Sequence, residues 1–420
     1  MLKILWISNV PWSSGGYGTE TARVVERMHD AGYKVDVLSN YGLQETHILW
    51  KNKVMVWPGS QFTQSQVDVI EGYCEQLNPD VVITLWDVHG YPPDFGFKRG
   101  VRWVPWLPID REPLPETIKA SLKSAYWILP WVEHARKVIE DGGFTNQTII
   151  PLSVDTSIFR PLVGVKCHKV VDGKKIETGE IATKDMFKSG MGLTDEHFVV
   201  GVVGINQDTR KNIHKVIKAV GMLRDEIPEL RLRLHAPAYR PGGLNLPEVV
   251  DRANITDITA WTPPHKYFLG LTFQEMASMY NGMDVLALPS SGEGFGLPLV
   301  EANACGIPTI FTNCTSMSEI AYGIGIDPVT TEIYPEPTPS GLPDCVYRFC
   351  VRDEHIADSI RALHKIWKED KDEWARIGAN ARQSAMRFDA NYVFETYWKP
   401  TLDMLEAKIA EEQELVKWLT

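Results

Sequence analysis

The first third of the chain alternates short apolar runs with amphipathic stretches. Residues 3–8, 33–39, 81–85, 103–107, 126–129 and 148–151 have the length and apolar content of buried strands. Between them, residues 19–31 place Ala22, Val25 and Met28 at helical spacing, and Gly32 then suits the position just past a helix end. Residues 132–140 read as a second helix, stopped by Gly142-Gly143. The pattern restarts in the second half. Residues 198–203, 230–234, 285–288 and 309–311 read as strands, and 212–226, 273–280 and 298–305 as helices. Such alternation predicts an α/β chain in which parallel sheets are covered by helices on both faces.

The remaining segments set the domain boundaries. Residues 161–192 are polar and irregular, with Asp172-Gly173 as the turn signal of a small hairpin. Residues 327–343 are rich in proline and read as a loop. From 353 to 420 the chain is helical, and 391–419 is one long amphipathic stretch. The expectation is a Rossmann-like domain over 1–190 (with a polar insertion near 162–190) and a second over 191–388. A last helix, 389–420, returns to the first domain. Two such domains form a cleft at the carboxyl ends of their strands, where a ligand sits.

Composition adds limits. A length of 420 residues fits two or three domains, and 44% hydrophobic with 23% charged residues is ordinary for a globular chain. The net charge of −11 argues against a general nucleic-acid coat protein, although a local basic patch is compatible with it. No apolar run reaches the roughly 18 residues that span a bilayer. The first seven residues are too short for a signal segment and read as a strand, so a cytoplasmic protein is expected. The six cysteines (74, 167, 305, 314, 345 and 350) form no C-x-x-C pair, which predicts free thiols and no zinc ribbon.

The sharpest chemical feature is the run from Ser290 to Ala302, SSGEGFGLPLVEA, between a predicted strand and a predicted helix. Its glycines allow tight turns and close approach to a ligand. Pro298 suits the first helical position, and the helix start offers free N–H groups to an anion. Glu293 and Glu301 would repel a phosphate, so a carboxylate here needs another task, and binding sugar hydroxyls is one. The competing reading is a plain strand-to-helix turn with acids placed for the helix dipole.

The spacing Glu293-x7-Glu301 within EGFGLPLVEANACGIPTI resembles the signature of the family 4 retaining glycosyltransferases of GT-B fold. Three further landmarks of that family follow the same order along nearly the whole chain. They are Ser14-Gly15-Gly16-Tyr17-Gly18 after the first strand, Ile150-Pro151-Leu152-Ser153-Val154-Asp155 with Phe159-Arg160-Pro161, and Gly204 followed by Arg210-Lys211-Asn212. The resemblance implies that Glu301 binds the ribose of a nucleotide sugar. It implies that the backbone of Gly294, Phe295, Gly296 and Leu297 caps the donor, and that Glu293 contacts the transferred sugar. Lys211 would neutralise the leaving diphosphate, with Arg210 beside it and Gly16 approaching from the other domain. The co-substrate implied is a UDP- or GDP-hexose, UDP-glucose by preference, with no cofactor and no metal.

Three departures stand out. The family's frequent arginine after the first glycine of the second domain is Ile205 here, with Arg210 as the substitute charge. The glycine of the middle landmark is Ser153. The family's acceptor-side histidine has no clean counterpart. Asp110, in Pro108-Ile109-Asp110-Arg111-Glu112-Pro113, is a candidate to orient an acceptor hydroxyl or take its proton, or else a turn acid paired with an arginine. His89 is the other candidate. Trp12 is placed to stack on an acceptor. Asp370-Lys371-Asp372 reads as a solvated helix end rather than a metal site. The function expected is hexose transfer to a hydroxyl of a glycan, a protein or a modified DNA base. The rival expectation is a degenerate transferase that binds a nucleotide sugar without turnover. An epimerase or phosphorylase fits the Glu-x7-Glu spacing poorly, and neither half carries the G-x-G-x-x-G of a Rossmann oxidoreductase.

Overall fold

A computed structural model of the chain describes residues 1–171, 174–207, 209–336 and 344–419. The first sheet comprises β1 (Lys3–Asn9), β2 (Lys34–Tyr41), β3 (Ile48–Trp50), β4 (Val54–Trp57), β5 (Val81–Leu85), β6 (Trp103–Leu107) and β7 (Leu129–Pro130), in the order β3-β4-β2-β1-β5-β6-β7. All its pairings are parallel except β3 with β4. After a hairpin of β8 (Lys166–Val171) and β9 (Lys174–Ile181), the second sheet follows. It holds β10 (Phe198–Val203), β11 (Leu230–His235), β12 (Thr259–Trp261), β13 (Val285–Leu288), β14 (Thr309–Thr312) and β15 (Gly323–Ile326), all parallel, in the order β12-β11-β10-β13-β14-β15. A second hairpin, β16 (Thr330–Glu336) and β17 (Asp344–Cys350), precedes the C-terminal helices.

The doubled α/β pattern is therefore present as read. Apolar alternation in β10 shows how the cores divide. Phe198, Val200 and Val202 pack with the Ile213–Leu223 and Asp353–Glu369 helices. Val199 and Val203 belong to the larger core, which runs without a break from the first domain into Leu286, Leu288 and Phe295 of the second. The interface between the domains is thus apolar as well as charged. The last helix, Lys399–Leu419, returns to the first domain as expected. Leu402, Leu405 and Ile409 enter that core, and Trp398 packs on Trp6 and Trp106 with ring centroids at 5.6 and 4.9 Å. Among the described residues no helix is long and apolar enough to cross a membrane, and all six cysteines are free.

Several expectations are corrected. Residues 148–151 form no strand, and of 126–129 only Leu129 enters the two-residue β7. Pro130 and Pro151 lack the N–H that a longer ladder requires, so a single bridge, Ile128 with Gln147, remains. The proline-rich segment 327–343 contains β16, in which Pro335 stands opposite Cys345 in a two-stranded ribbon that leaves one edge unpaired. Its remainder, 337–343, and the Asp172-Gly173 turn lie outside the described residues. The insertion near 162–190, read with the first domain, packs on the second. Its Lys184–Ser189 helix lies against the Phe273–Gly282 helix, and Lys188, 1% exposed, sits 2.8 Å from the buried Asp284 carboxylate. A buried carboxylate just before β13 needs that cation.

Candidate active site

The loop after β13 is shaped by contact between the domains. A Cβ on Gly292 would stand 2.2 Å from the Asp110 carbonyl oxygen, and one on Gly294 would stand 2.3 Å from Pro108 Cβ. These two glycines admit the other domain, and only Gly296, at φ 101°, serves a left-handed turn. Gly296 caps the Leu297–Ala304 helix, so Pro298 is its second residue rather than its first. No N–H is required at either position. The Phe295 ring faces Trp131 and Phe388 in the interface, while its carbonyl accepts from Ser316 Oγ at 2.7 Å.

A charged cluster forms behind this loop. The Glu293 carboxylate accepts from Lys211 Nζ and from Ser290 Oγ at 2.6 Å, and Arg210 Nη1 is 3.5 Å away. Arg210 Nη1 also donates to the Gly292 carbonyl at 2.6 Å and stands 3.4 Å from Asp110 across the domain boundary. Asp110 accepts from Arg111 Nε at 2.6 Å. Burial would raise the Glu293 carboxyl, but Lys211 and Arg210 outweigh it and hold it below its ordinary value. Burial likewise opposes ionisation of Asp110, yet Arg210 and Arg111 keep it well below the carboxylate range. A carboxylate held so low is a weak base and a good anchor for a cation. Burial lowers the Lys211 ammonium by more than Glu293 restores.

The second part of the site is a cavity of about 320 Å³ between the domains. Ser14, Gly15, Gly16 and Thr19 form one wall, and Gly204, His235, Tyr267, Leu297 and Glu301 another. Gly16 faces Leu297, whose Cδ1 would be 3.5 Å from a Cβ placed there. Glu301 accepts from the Tyr280 hydroxyl at 2.9 Å and stands 3.7 Å from Arg23 Nη2, which reaches it from the first domain. Arg23 in turn donates to Glu20 at 2.7 Å and to the Ser153 carbonyl, and Ser153 gives both its N–H and its hydroxyl to Glu20 at 3.1 Å. Burial raises the Glu301 carboxyl, against the pull of Arg23.

Sequence reading missed Glu20, Arg23 and Tyr280. The available signal was a charged i, i+3 pair beside Thr19 and Val24 on the face that the Gly16–Asp30 helix buries. Ser153 stands where the family landmark has glycine, and its hydroxyl makes a bond that glycine lacks. His235 was missed as well. Arg233 Nη2 donates to Thr262 Oγ1 at 2.9 Å, and that hydroxyl lies 2.9 Å from His235 Nδ1. Donation onward from the hydroxyl to Nδ1 satisfies all three groups and puts the ring proton on Nε2. Burial and Arg233 push the His235 pKa down to about 4. Stability should therefore fall as pH drops from about 6.5 towards 4, because the unfolded chain binds the proton first. His235→Gln should flatten the melting temperature over that window, and an unchanged slope would refute the assignment.

Trp12 and His89 are not brought to the cavity. Trp12 is 44% exposed, and His89 is exposed in the Val88–Gly90 turn. Asp370 caps the Lys371–Ala385 helix by accepting from the Glu373 N–H at 2.9 Å, as a helix end should. Among the described residues no group of three histidine, cysteine or acidic side chains is close enough to hold a metal.

Comparison with known proteins follows the same division. Residues 197–336, the whole second sheet with the Glu293–Glu301 loop, match the family Glycosyl transferases group 1. A D-inositol 3-phosphate glycosyltransferase of Streptomyces bingchenggensis is 31% identical over 180 residues, 41% of this chain and 33% of the relative. One of Paenarthrobacter aurescens is 33% identical over 104 residues, 24% of each. The chain thus spans about a quarter to a third of the length of these curated relatives. Among solved structures, sucrose-phosphate synthase from Thermosynechococcus elongatus aligns over 100% of this chain and 99% of its own, with TM-score 0.66 and 17% identity. Anabaena HepE in complex with UDP and glucose aligns over 96% and 100%, with TM-score 0.66 and 16% identity. The chain has the GT-B fold of these proteins.

Proposed function

We propose that this chain, a GT-B protein with a glycosyl transferases group 1 domain, is a retaining, metal-independent transferase of a hexose from a nucleotide sugar. What carries the reading is the placing of Glu301 on the wall of the cavity that Gly16 and Leu297 share, with a cationic pair one loop away. In this reading Glu301 accepts from the ribose hydroxyls and the His235 Nε2–H faces the base. Lys211 and Arg210 turn from Glu293 to the diphosphate, where negative charge accumulates as the glycosidic bond breaks. The leaving phosphate then accepts the proton of the attacking hydroxyl on the face from which it departs, so no carboxylate nucleophile is needed behind the sugar. These cations meet the leaving-group charge without a metal. Asp110 anchors Arg210 and orients the acceptor, rather than acting as a base.

The donor favoured is UDP-glucose, the compound bound by HepE in a further solved complex, with GDP-hexoses as the alternative. The acceptor is a hydroxyl of a glycan, a protein or a modified nucleobase, and the D-inositol 3-phosphate of the relatives' name adds a phosphorylated polyol. The deciding experiment is release of UDP or GDP from a set of nucleotide sugars, with and without these acceptors. Turnover supports the transferase, and tight donor binding without release would make the chain a degenerate binder instead. Glu301→Gln should weaken UDP binding about fivefold, roughly 1 kcal/mol for a lost hydrogen bond. Unchanged affinity would remove Glu301 from the ribose site. Asp110→Asn should lower kcat by a larger factor than it raises the donor KM, and the reverse order would place Asp110 in donor binding.

A further inference from the structure

The polar insertion that packs on the second domain roofs a second groove, of about 740 Å³. Its walls are apolar and adaptable. Met186 and Met191 come from the insertion side, Met279 and Leu271 from around the Phe273–Gly282 helix, and Trp261 from β12. Methionine-rich walls accommodate flexible hydrocarbon. Into this lining comes one buried cation, Arg233 of β11, which is 8% exposed.

Arg233 is poorly compensated. Its Nη2 donates to the neutral Thr262 hydroxyl, its Nε has no partner, and no carboxylate pairs with it among the described residues. Glu275, the acid on the groove wall, is engaged in capping its own helix through Thr272. Burial depresses Arg233 only to about 10, so the guanidinium stays charged at neutral pH. A buried charge without a counter-ion is costly, and an anion in the groove would relieve that cost.

We propose that this groove binds a single-chain carboxylate amphiphile, its head group paired with Arg233 and its hydrocarbon body lying on Met186, Met191, Met279, Trp261 and Leu271. The exposed Lys266 and Glu275 also line the groove and offset each other's charge, so a monoanion balances the one buried guanidinium. A phosphate monoester, at close to two negative charges, would carry an excess of charge into an apolar groove. The groove adjoins the cavity of Glu301, sharing Leu271 with it and reaching His235 through Arg233 and Thr262, but its occupancy does not depend on the activity proposed above.

The test is calorimetric titration of the full chain with decanoate, decanol and decyl phosphate. Decanoate should bind the wild type at least tenfold more tightly than decanol, and Arg233→Gln should erase the difference. Ser278→Phe narrows the groove without touching Arg233 and should weaken decanoate at least fivefold; it decides the matter if Arg233→Gln does not fold. Equal binding of decanoate and decanol overturns the inference. So does decanoate binding that is absent from the wild type or unchanged in Ser278→Phe. Tighter binding of decyl phosphate overturns the assignment of the head group.

Discussion

Lys211→Met should lower kcat for transfer, or for donor hydrolysis, by about 10²–10³-fold, the usual loss when a preorganised charge-stabilising group is removed. The geometry explains the size. Lys211 is nearly buried, so its charge acts in a medium that screens it little. Its partner in the absence of donor is Glu293, and the Coulombic pull of that carboxylate already falls short of the cost of burial. A diphosphate carries more charge than one carboxylate and gains more as the bond to the sugar breaks, so the interaction strengthens towards the transition state. The loss should therefore fall mainly on kcat. Glu293 would keep Arg210 and Ser290, so the loop should stay folded in the variant. Single-turnover rates with UDP-glucose would check this. A kcat within threefold of wild type would remove Lys211 from the leaving-group site.

The parts of this site differ in how far the sequence reveals them. Strand cores such as 81–85, 103–107 and 285–288 are visible because buried parallel strands are short runs of apolar residues with nothing else to be. The Glu293–Glu301 loop is visible because its Glu-x7-Glu spacing resembles a known family signature; its glycines and acids alone also fit a plain strand-to-helix turn. What the sequence hides is the purpose of the glycines. Gly292 and Gly294 have ordinary φ angles, and their need for a hydrogen side chain arises from Asp110 and Pro108, about 180 residues away. The same holds for Arg23. Its role depends on Ser153, 130 residues further along the chain, and on Glu301, which reaches it only when the domains meet. β16 was hidden for a different reason, because proline marks loops by composition but is tolerated at the unpaired edge of a ribbon. Trp12 and His89 do not line the cavity of Glu301, and a loop position near a strand end says nothing of which way the loop turns.

Arg23→Met should raise the donor KM by roughly 5–150-fold, about 1–3 kcal/mol for a coupled charged contact, while kcat changes less. Arg23 does not touch the cavity's contents in this reading, and acts by holding Glu301. Without it, Glu20 and Glu301 become two buried carboxylates with no cation between them. Burial already raises the Glu301 carboxyl and Arg23 pulls it down, so the substitution raises it further. Only the ionised form accepts from both ribose hydroxyls, so affinity is lost as pH falls through the folded-state pKa. In Arg23→Met that loss should begin at a higher pH than in the wild type. A role confined to packing of the Gly16–Asp30 helix would weaken binding equally at all pH values. Combining Arg23→Met with Glu301→Gln separates the two accounts. With Glu301 neutralised, removing Arg23 should cost little further affinity, and the two effects should fall well short of additive. Full additivity, or a pH profile parallel to the wild type, would show that Arg23 does not work through Glu301.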